Sequence, residues 1–280
     1  MKQYVTVCID EHKLPEHLTN LVTWVAQKTT LPIQLLYRTS ASPVVSQLND
    51  SHASLDGHNE AIEPLLHADE QLAQGQLEHE HAMLQPFIQQ LTDAELTPLL
   101  AHTHHSSWKQ TLSEYQESTE LFVIESHHGA QEKLPDYLEN VMTYTQNDLL
   151  IAKRHHNAPS CCIVAFDGRS HNLAFIRKIL TMPLLDALPL HLVIVNADEE
   201  ERHYFQDAEA YWVANGRDVT SVELHGNVAQ ELTQYQLQYP DSLLVIGSSP
   251  HSRFLQFWLG SHTKDIIHTV EGSVCLLTNH

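Results

Sequence analysis

The sequence predicts an α/β protein built of two tandem five-stranded parallel-sheet domains with helices on both faces. Three observations carry this. Short, near-continuous apolar runs recur along the chain and alternate with helical patterns, the signature of parallel strands buried on both faces. The order of elements repeats: Tyr4–Arg38 and Cys162–Ala197 both read strand, amphipathic helix, strand, and each first strand ends at an acid, Asp10 and Asp167. With 280 residues and 42% apolar content, the chain is long enough for two cores.

Superposing Asp10 on Asp167 places the remaining elements in register. After the first two strands, the first half continues with strands at Leu96–Ala101, Leu121–Ile124 and Leu149–Ala152. The second half continues with Val219–Leu224, Leu243–Ile246 and Val274–Leu277. The copies differ in length, since Asp10 to Ser126 spans 116 positions and Asp167 to Ser248 spans 81. The extra 35 residues fall between Thr39 and Leu91, a polar loop followed by a Glu-, Gln- and His-rich helix over Ala61–Leu91. That helix reads as a solvated element with one apolar stripe; its sharper reading is a lid or partner surface. The polar stretch RHHNAPS, Arg154–Ser160, divides the chain into domains 1–153 and 154–280, and so short a linker predicts packed domains.

Charge excludes several functions. The net charge is −20, with −14 in residues 1–153 and −6 in residues 154–280. Neither half has a basic stripe, which argues against nucleic acid or an anionic membrane surface as a partner. No run approaches the roughly 20 apolar residues of a spanning helix, and the early charges in MKQYVTVCIDEHK read against a secretory signal. The four cysteines lie in apolar strand-like runs without a C-x-x-C pair, which fits a reduced, cytoplasmic setting. The 22 histidines split 12 and 10 between the halves. Their full protonation would carry the formal charge from −20 to +2, so acid should favour association.

The C-terminal 40 residues carry the strongest chemical signal. A buried strand, Leu243–Ile246, stops at Gly247 and leads to a helix carrying Gly260 and Ser261. A strand that ends at glycine and feeds a helix suits phosphate, because the first N–H groups of a helix lack internal partners and carry partial positive charge. The plainer reading makes Gly247 a turn glycine and Ser261 a surface residue. The spacing resembles the G-x-x-G-x9-G-[ST] nucleotide loop of the universal stress protein family. The repeated element order, Asp10 and Asp167, and the HGNVAQEL exit at His225–Leu232 extend that resemblance over nearly the whole chain.

The resemblance implies strand order 3-2-1-4-5 in each half, with ATP at the carboxyl ends of the strands in the nucleotide-binding branch. The crevice where strand order reverses would lie between the first and fourth strands, and Pro98 suits a third strand at the sheet edge. Carried onto this chain, the implied cofactor-binding residues are Asp167, Gly247, Ser252, Arg253, Gly260 and Ser261. Asp167 would face base or ribose. Pro250 replaces the second loop glycine and removes a backbone donor; one lost hydrogen bond to a charged phosphate costs about 1.5–3 kcal/mol. Arg253 and His251 offer side-chain contacts in return. In the first half Glu125 stands where Gly247 does and would repel phosphate. The resemblance further implies pairing of fifth strands, Asp148–Ala152 with Ser273–Thr278, as an internal seam extended to a homodimer.

The function so predicted is a non-catalytic, cytoplasmic stress-response protein with a degraded nucleotide pocket. Two alternatives stand beside it. One is an ATP- or AMP-binding switch in the second domain. The other is a metal- or metabolite-binding module in the first crevice, where Asp10, His12, His127 and His128 converge, with His102, His104 and His105 farther along the edge. The histidines lack the tight pairs of a zinc signature, so they read as loop histidines and no metal ligand is assigned. Glu78–His81 reads as a solvated helix face.

Overall fold

The computed structural model describes residues 3–10, 18–38, 82, 84–103, 107–126, 134–153, 158–168, 173–247 and 261–278, with backbone only at 10, 38, 102, 103, 173, 261 and 262. Its first half runs β1 (Tyr4–Asp10), α1 (Thr19–Thr29), β2 (Ile33–Arg38), α2 (84–93), β3 (Leu99–Thr103), α3 (Trp108–Tyr115), β4 (Thr119–Glu125), α4 (Asp136–Tyr144) and β5 (Asp148–Ala152). The second half runs β6 (Cys161–Phe166), α5 (Leu173–Thr181), a short 3-10 turn (Pro183–Leu185), β7 (Leu190–Val195), α6 (Glu199–Ala214), β8 (Val219–Leu224), α7 (Val228–Leu237), β9 (Ser242–Gly247), α8 (Ser261–Thr269) and β10 (Val274–Leu277). Within each half every strand pair is parallel, and the order is 3-2-1-4-5 twice over.

The two arrays are one sheet. β5 pairs antiparallel with β10 (Ile151 with Val274, Leu150 with Cys275, Leu149 with Leu276), giving ten strands in the order β3-β2-β1-β4-β5-β10-β9-β6-β7-β8. Each fifth strand is therefore hydrogen-bonded on both sides. This corrects the fifth-strand homodimer on one point: both ladder edges are used within the chain, and a second copy finds neither free.

Alternation along the strands builds two cores, each continuous across the seam. Val5, Val7, Leu150, Cys275 and Val164 face α1, α2, α5 and α6, whose Val25, Phe87, Phe175 and Trp212 cover them. Cys8, Leu149, Ile151, Val274 and Ile163 face the opposite side, under Leu112, Val141, Leu232 and Ile267 from α3, α4, α7 and α8. The fifth strands are buried at every position, which explains their unbroken apolar sequence.

Two polar clamps close the seam. Asp148 Oδ1 accepts from Thr278 N at 2.8 Å, Thr278 Oγ1 at 2.9 Å and Lys178 Nζ at 2.6 Å, and the same ammonium donates to Thr278 O at 2.7 Å. At the pseudo-equivalent end, Lys153 N donates to Ser273 Oγ at 3.4 Å and Lys153 Nζ to Ile267 O at 2.6 Å. That carbonyl lies in the last turn of α8, where helix carbonyls lack internal donors, so Lys153 caps α8 from the other half. Lys264 of α8 pairs with Glu139 of α4 at 3.2 Å, and Lys28 donates to Asp186 O at 2.9 Å on the opposite face.

The third strand departs from the expected Leu96–Ala101 and begins three residues later. α2 ends in a paired cap in which Glu95 N bonds Thr92 O and Leu96 N bonds Leu91 O, with Glu95 at φ 63°. This Schellman closure turns Leu96 back onto the core as its apolar partner, and Pro98, lacking an N–H, delays pairing. α6 ends the same way, through Gly216 N to Val213 O and Arg217 N to Trp212 O. Of the expected Ala61–Leu91 helix, residues 39–81 lie outside the described residues. Among the described residues no helix is long and apolar enough to cross a membrane.

Two outcomes test the seam. Asp148→Ala strands the Thr278 and Lys178 donors and should cost about 2–4 kcal/mol in urea unfolding; an unchanged midpoint would refute the clamp. Burial lowers the Lys153 ammonium from 10.5 to about 8. A depressed folded value contributes stability above pH 10.5 that is lost as pH falls through 8, about 3 kcal/mol across the window. Wild type should therefore gain on Lys153→Met between pH 8 and 10, and parallel pH profiles would show that Lys153 is not buried as described.

Candidate functional site

In an open parallel sheet, ligands lie where neighbouring strands send their crossovers to opposite sides. The strand order puts that point between β6 and β9 in the second half and between β1 and β4 in the first. Because β5 and β10 are antiparallel, the strands of the two halves run in opposite directions. Their crevices consequently open at opposite edges of the sheet, and no ligand can bridge them.

In the second half, β6 and β9 run in register with Ala165 opposite Ile246. Asp167, exposed, follows β6 directly, and Gly247 closes β9, so both reach the same edge side by side. Gly168 holds φ +69° and lies so close to Glu201 that a Cβ would clash, which fixes the chain immediately after Asp167. Ser261 is the first residue of α8. Ser252, Arg253 and Gly260, along with Pro250 and His251, lie outside the described residues. The structure thus brings Asp167 and Gly247 together at the switch point and starts a helix at Ser261.

The glycine has another reason to be there. A Cβ on Gly247 would stand 2.6 Å from Cδ2 and 2.7 Å from Cε2 of Phe175, a buried ring of α5. Close helix–strand packing therefore demands glycine at 247 whether or not phosphate approaches, a reason separate from the turn expected of this residue.

Beside the crevice, residues that sequence reasoning passed over shape the rim. Asn196 leaves β7 and bonds Gly226 at both ends of its amide, accepting from Gly226 N at 2.9 Å and donating to Gly226 O at 2.7 Å. The side chain thereby extends the β7–β8 ladder by one rung. Arg202 makes a forked pair with Glu223, Nε to Oε2 at 3.0 Å and NH2 to Oε1 at 2.6 Å, and this pairing holds the Glu223 carboxyl below its ordinary range. Asp198 and Glu201 form a capping box on α6. The HGN at 225–227 was the visible signal for this rim; Asn196 had none, because its partner lies 30 residues away.

In the first half, Glu125 is buried at the end of β4, and Tyr137 Oη donates to its carbonyl at 2.7 Å. Asp10 ends β1, but its side chain and those of His102 and Ser261 are not described, and His12, His104, His105, His127 and His128 lie outside the described residues. Among the described residues no group of three His, Cys, Asp or Glu is arranged to hold a metal. Cys8, Cys161, Cys162 and Cys275 are all buried, and burial pushes each thiol up, which removes the thiolate character a nucleophile needs.

Residues 164–277 match the model of the Universal stress protein family. Over 274 residues the chain is 22% identical to universal stress protein Slr1230 of Synechocystis sp., covering 94% of this chain and 95% of that protein. Among solved structures it resembles a universal stress protein of Archaeoglobus fulgidus (13% identity, TM-score 0.66, 98% of this chain and 96% of that one). It also resembles a putative universal stress protein of Pseudomonas aeruginosa (14% identity, TM-score 0.65, 99% and 93%). These structural likenesses extend over both halves and speak to the fold.

Gly247→Ala should destabilise the protein by about 1–3 kcal/mol in the absence of any ligand, since a methyl must displace the Phe175 ring. Equal thermal and urea midpoints for variant and wild type would mean that packing does not require this glycine.

Proposed function

Proceeding from the match of residues 164–277 to the Universal stress protein family model, we propose that the chain acts as a non-catalytic, cytoplasmic stress-response protein on a paired-domain scaffold with a degraded nucleotide pocket. The division at 153 and 154 is part of this reading. The observation that carries it is Gly247 itself: the glycine that marks the nucleotide loop is required by Phe175, and three residues later Pro250 takes the place of a phosphate-facing amide. The thiols support the non-catalytic part, being buried and held protonated. Lys153, whose depressed value is the mark of a reactive amine in many sites, is committed to capping α8.

A second reading, an ATP- or AMP-binding switch in the second domain, is favoured by one arrangement. Asp167 and Gly247 emerge side by side at the β6–β9 switch point and α8 begins at Ser261. On that reading Asp167 meets base or ribose, and Gly247, Ser252, Arg253, Gly260 and Ser261 meet phosphate.

Calorimetric titration of MgATP at pH 7.5 separates the two. The degraded pocket predicts no heat up to millimolar nucleotide. Micromolar binding at one site per chain, abolished by Gly260→Asp, would overturn it in favour of the switch.

A further inference from the structure

Away from both crevices, the second half keeps an imidazole inside its core. His191 lies in β7, between Ile163 of β6 and Thr220 of β8, and only 8% of its surface reaches solvent. Its Nδ1 is 2.8 Å from Tyr235 Oη, and its ring meets Tyr239 edge-on at 4.4 Å. The two tyrosine rings lie 5.4 Å apart. Together the three rings fasten the last turn of α7 and its exit onto the sheet, while Leu237 between them is exposed.

The surroundings of the imidazole are nearly all neutral. From α7 comes Tyr235, whose phenol burial, and then Tyr239, push up to about 12; from the α7 exit comes Tyr239 itself. β6 presents Ile163, with the Cys161 thiol acting on Tyr235. On the β8 side, Asp218 supplies the carboxylate that acts on His191, and among the described residues none forms an ion pair with it. The corresponding position of the first half holds Gln34: Ile33 pairs with Val5 as Leu190 pairs with Cys162, and Gln34 and His191 come next. A side chain that cannot titrate stands there, accepting from Thr6 Oγ1 of β1 at 3.4 Å.

We propose that the His191–Tyr235–Tyr239 cluster is an acid-released latch on the C-terminal turn of α7. Protonation makes Nδ1 a donor, so the phenol can only accept from it, and a proton the phenol gave the ring must find another acceptor. It also places a charge where no carboxylate pairs with it, and opening the turn lets the imidazolium reach water. Burial, opposed in part by Asp218, lowers the His191 value below the ordinary 6.5. The sign follows: the latch is intact above pH 6.5 and loses stability as pH falls toward the folded value. Release would bare two tyrosines beside Leu237 in the same range where histidine protonation erodes the net charge of −20, coupling acid to self-association.

Hydrogen–deuterium exchange of residues 228–239 at pH 7.5, 6.5 and 5.5, corrected for intrinsic rates, tests the latch. In wild type, opening should rise severalfold, by no more than about fivefold, from pH 6.5 to 5.5, while residues 108–115 of α3 stay unchanged. His191→Gln, which installs the first half's residue at this position, should abolish the rise. Constant protection in wild type, or an equal rise in the variant, overturns the proposal. If the variant does not fold, NMR titration of the His191 imidazole in wild type decides: a midpoint below 6.5 accompanied by loss of α7 protection supports the latch, and a midpoint at or above 6.5 refutes it.

Discussion

The antiparallel ladder between β5 and β10 is the contact on which the rest of the molecule depends. A five-stranded array with a fully apolar fifth strand would expose a flat, sticky edge, the kind of surface that invites aggregation. Pairing the two fifth strands removes both edges at once and moves them to the middle of a ten-stranded sheet. Each core then runs under helices from both halves, so Phe87 and Phe175 belong to one cluster and Leu138 and Ile267 to the other. The stability of either half is bound up with its neighbour.

That ladder also governs what the crevices can do. An antiparallel seam between two parallel arrays sends their carboxyl edges in opposite directions, so any ligand chemistry belongs to one half at a time. The duplication has accordingly been free to diverge. At the end of the fourth strand one copy carries Glu125 and the other Gly247. On the second strand one carries Gln34 and the other His191. The polar clamps show the same drift: Asp148 and Ser273 occupy equivalent ends and both accept a backbone N–H, yet only Asp148 gathers an ammonium as well.

The strand exits of the candidate site could be read before the structure, and the reasons for the gaps are specific. Asp167 and Gly247 were legible because a strand exit is a local event, marked by an acid or a glycine at the end of an apolar run. Whether Gly247 serves phosphate or packing was not legible, since the Phe175 ring that presses on it comes from 72 positions earlier. The Asn196–Gly226 bracket and the Lys153 cap on α8 were invisible for the same reason. Their partners are 30 and 114 residues distant, and neither residue type announces its partner. The third strand was misplaced because Leu96 reads as a strand residue, whereas it is the apolar closure of a helix cap.

By itself the sequence determined the class of the fold and its duplication. Periodicity and the spacing of acids and glycines are short-range properties, set by which side chains must be buried on a strand or a helix. Pairing of the fifth strands was implied by the family resemblance alone, because apolar faces call for cover by helices and do not choose an edge partner. Tertiary structure decided the rest: that the seam is one antiparallel ladder within the chain, that its ends are held by Asp148 and Lys153, and that the crevices face apart. Those outcomes depend on which groups meet across long separations in sequence, where hydrogen bonding and close packing choose between arrangements that composition leaves equal.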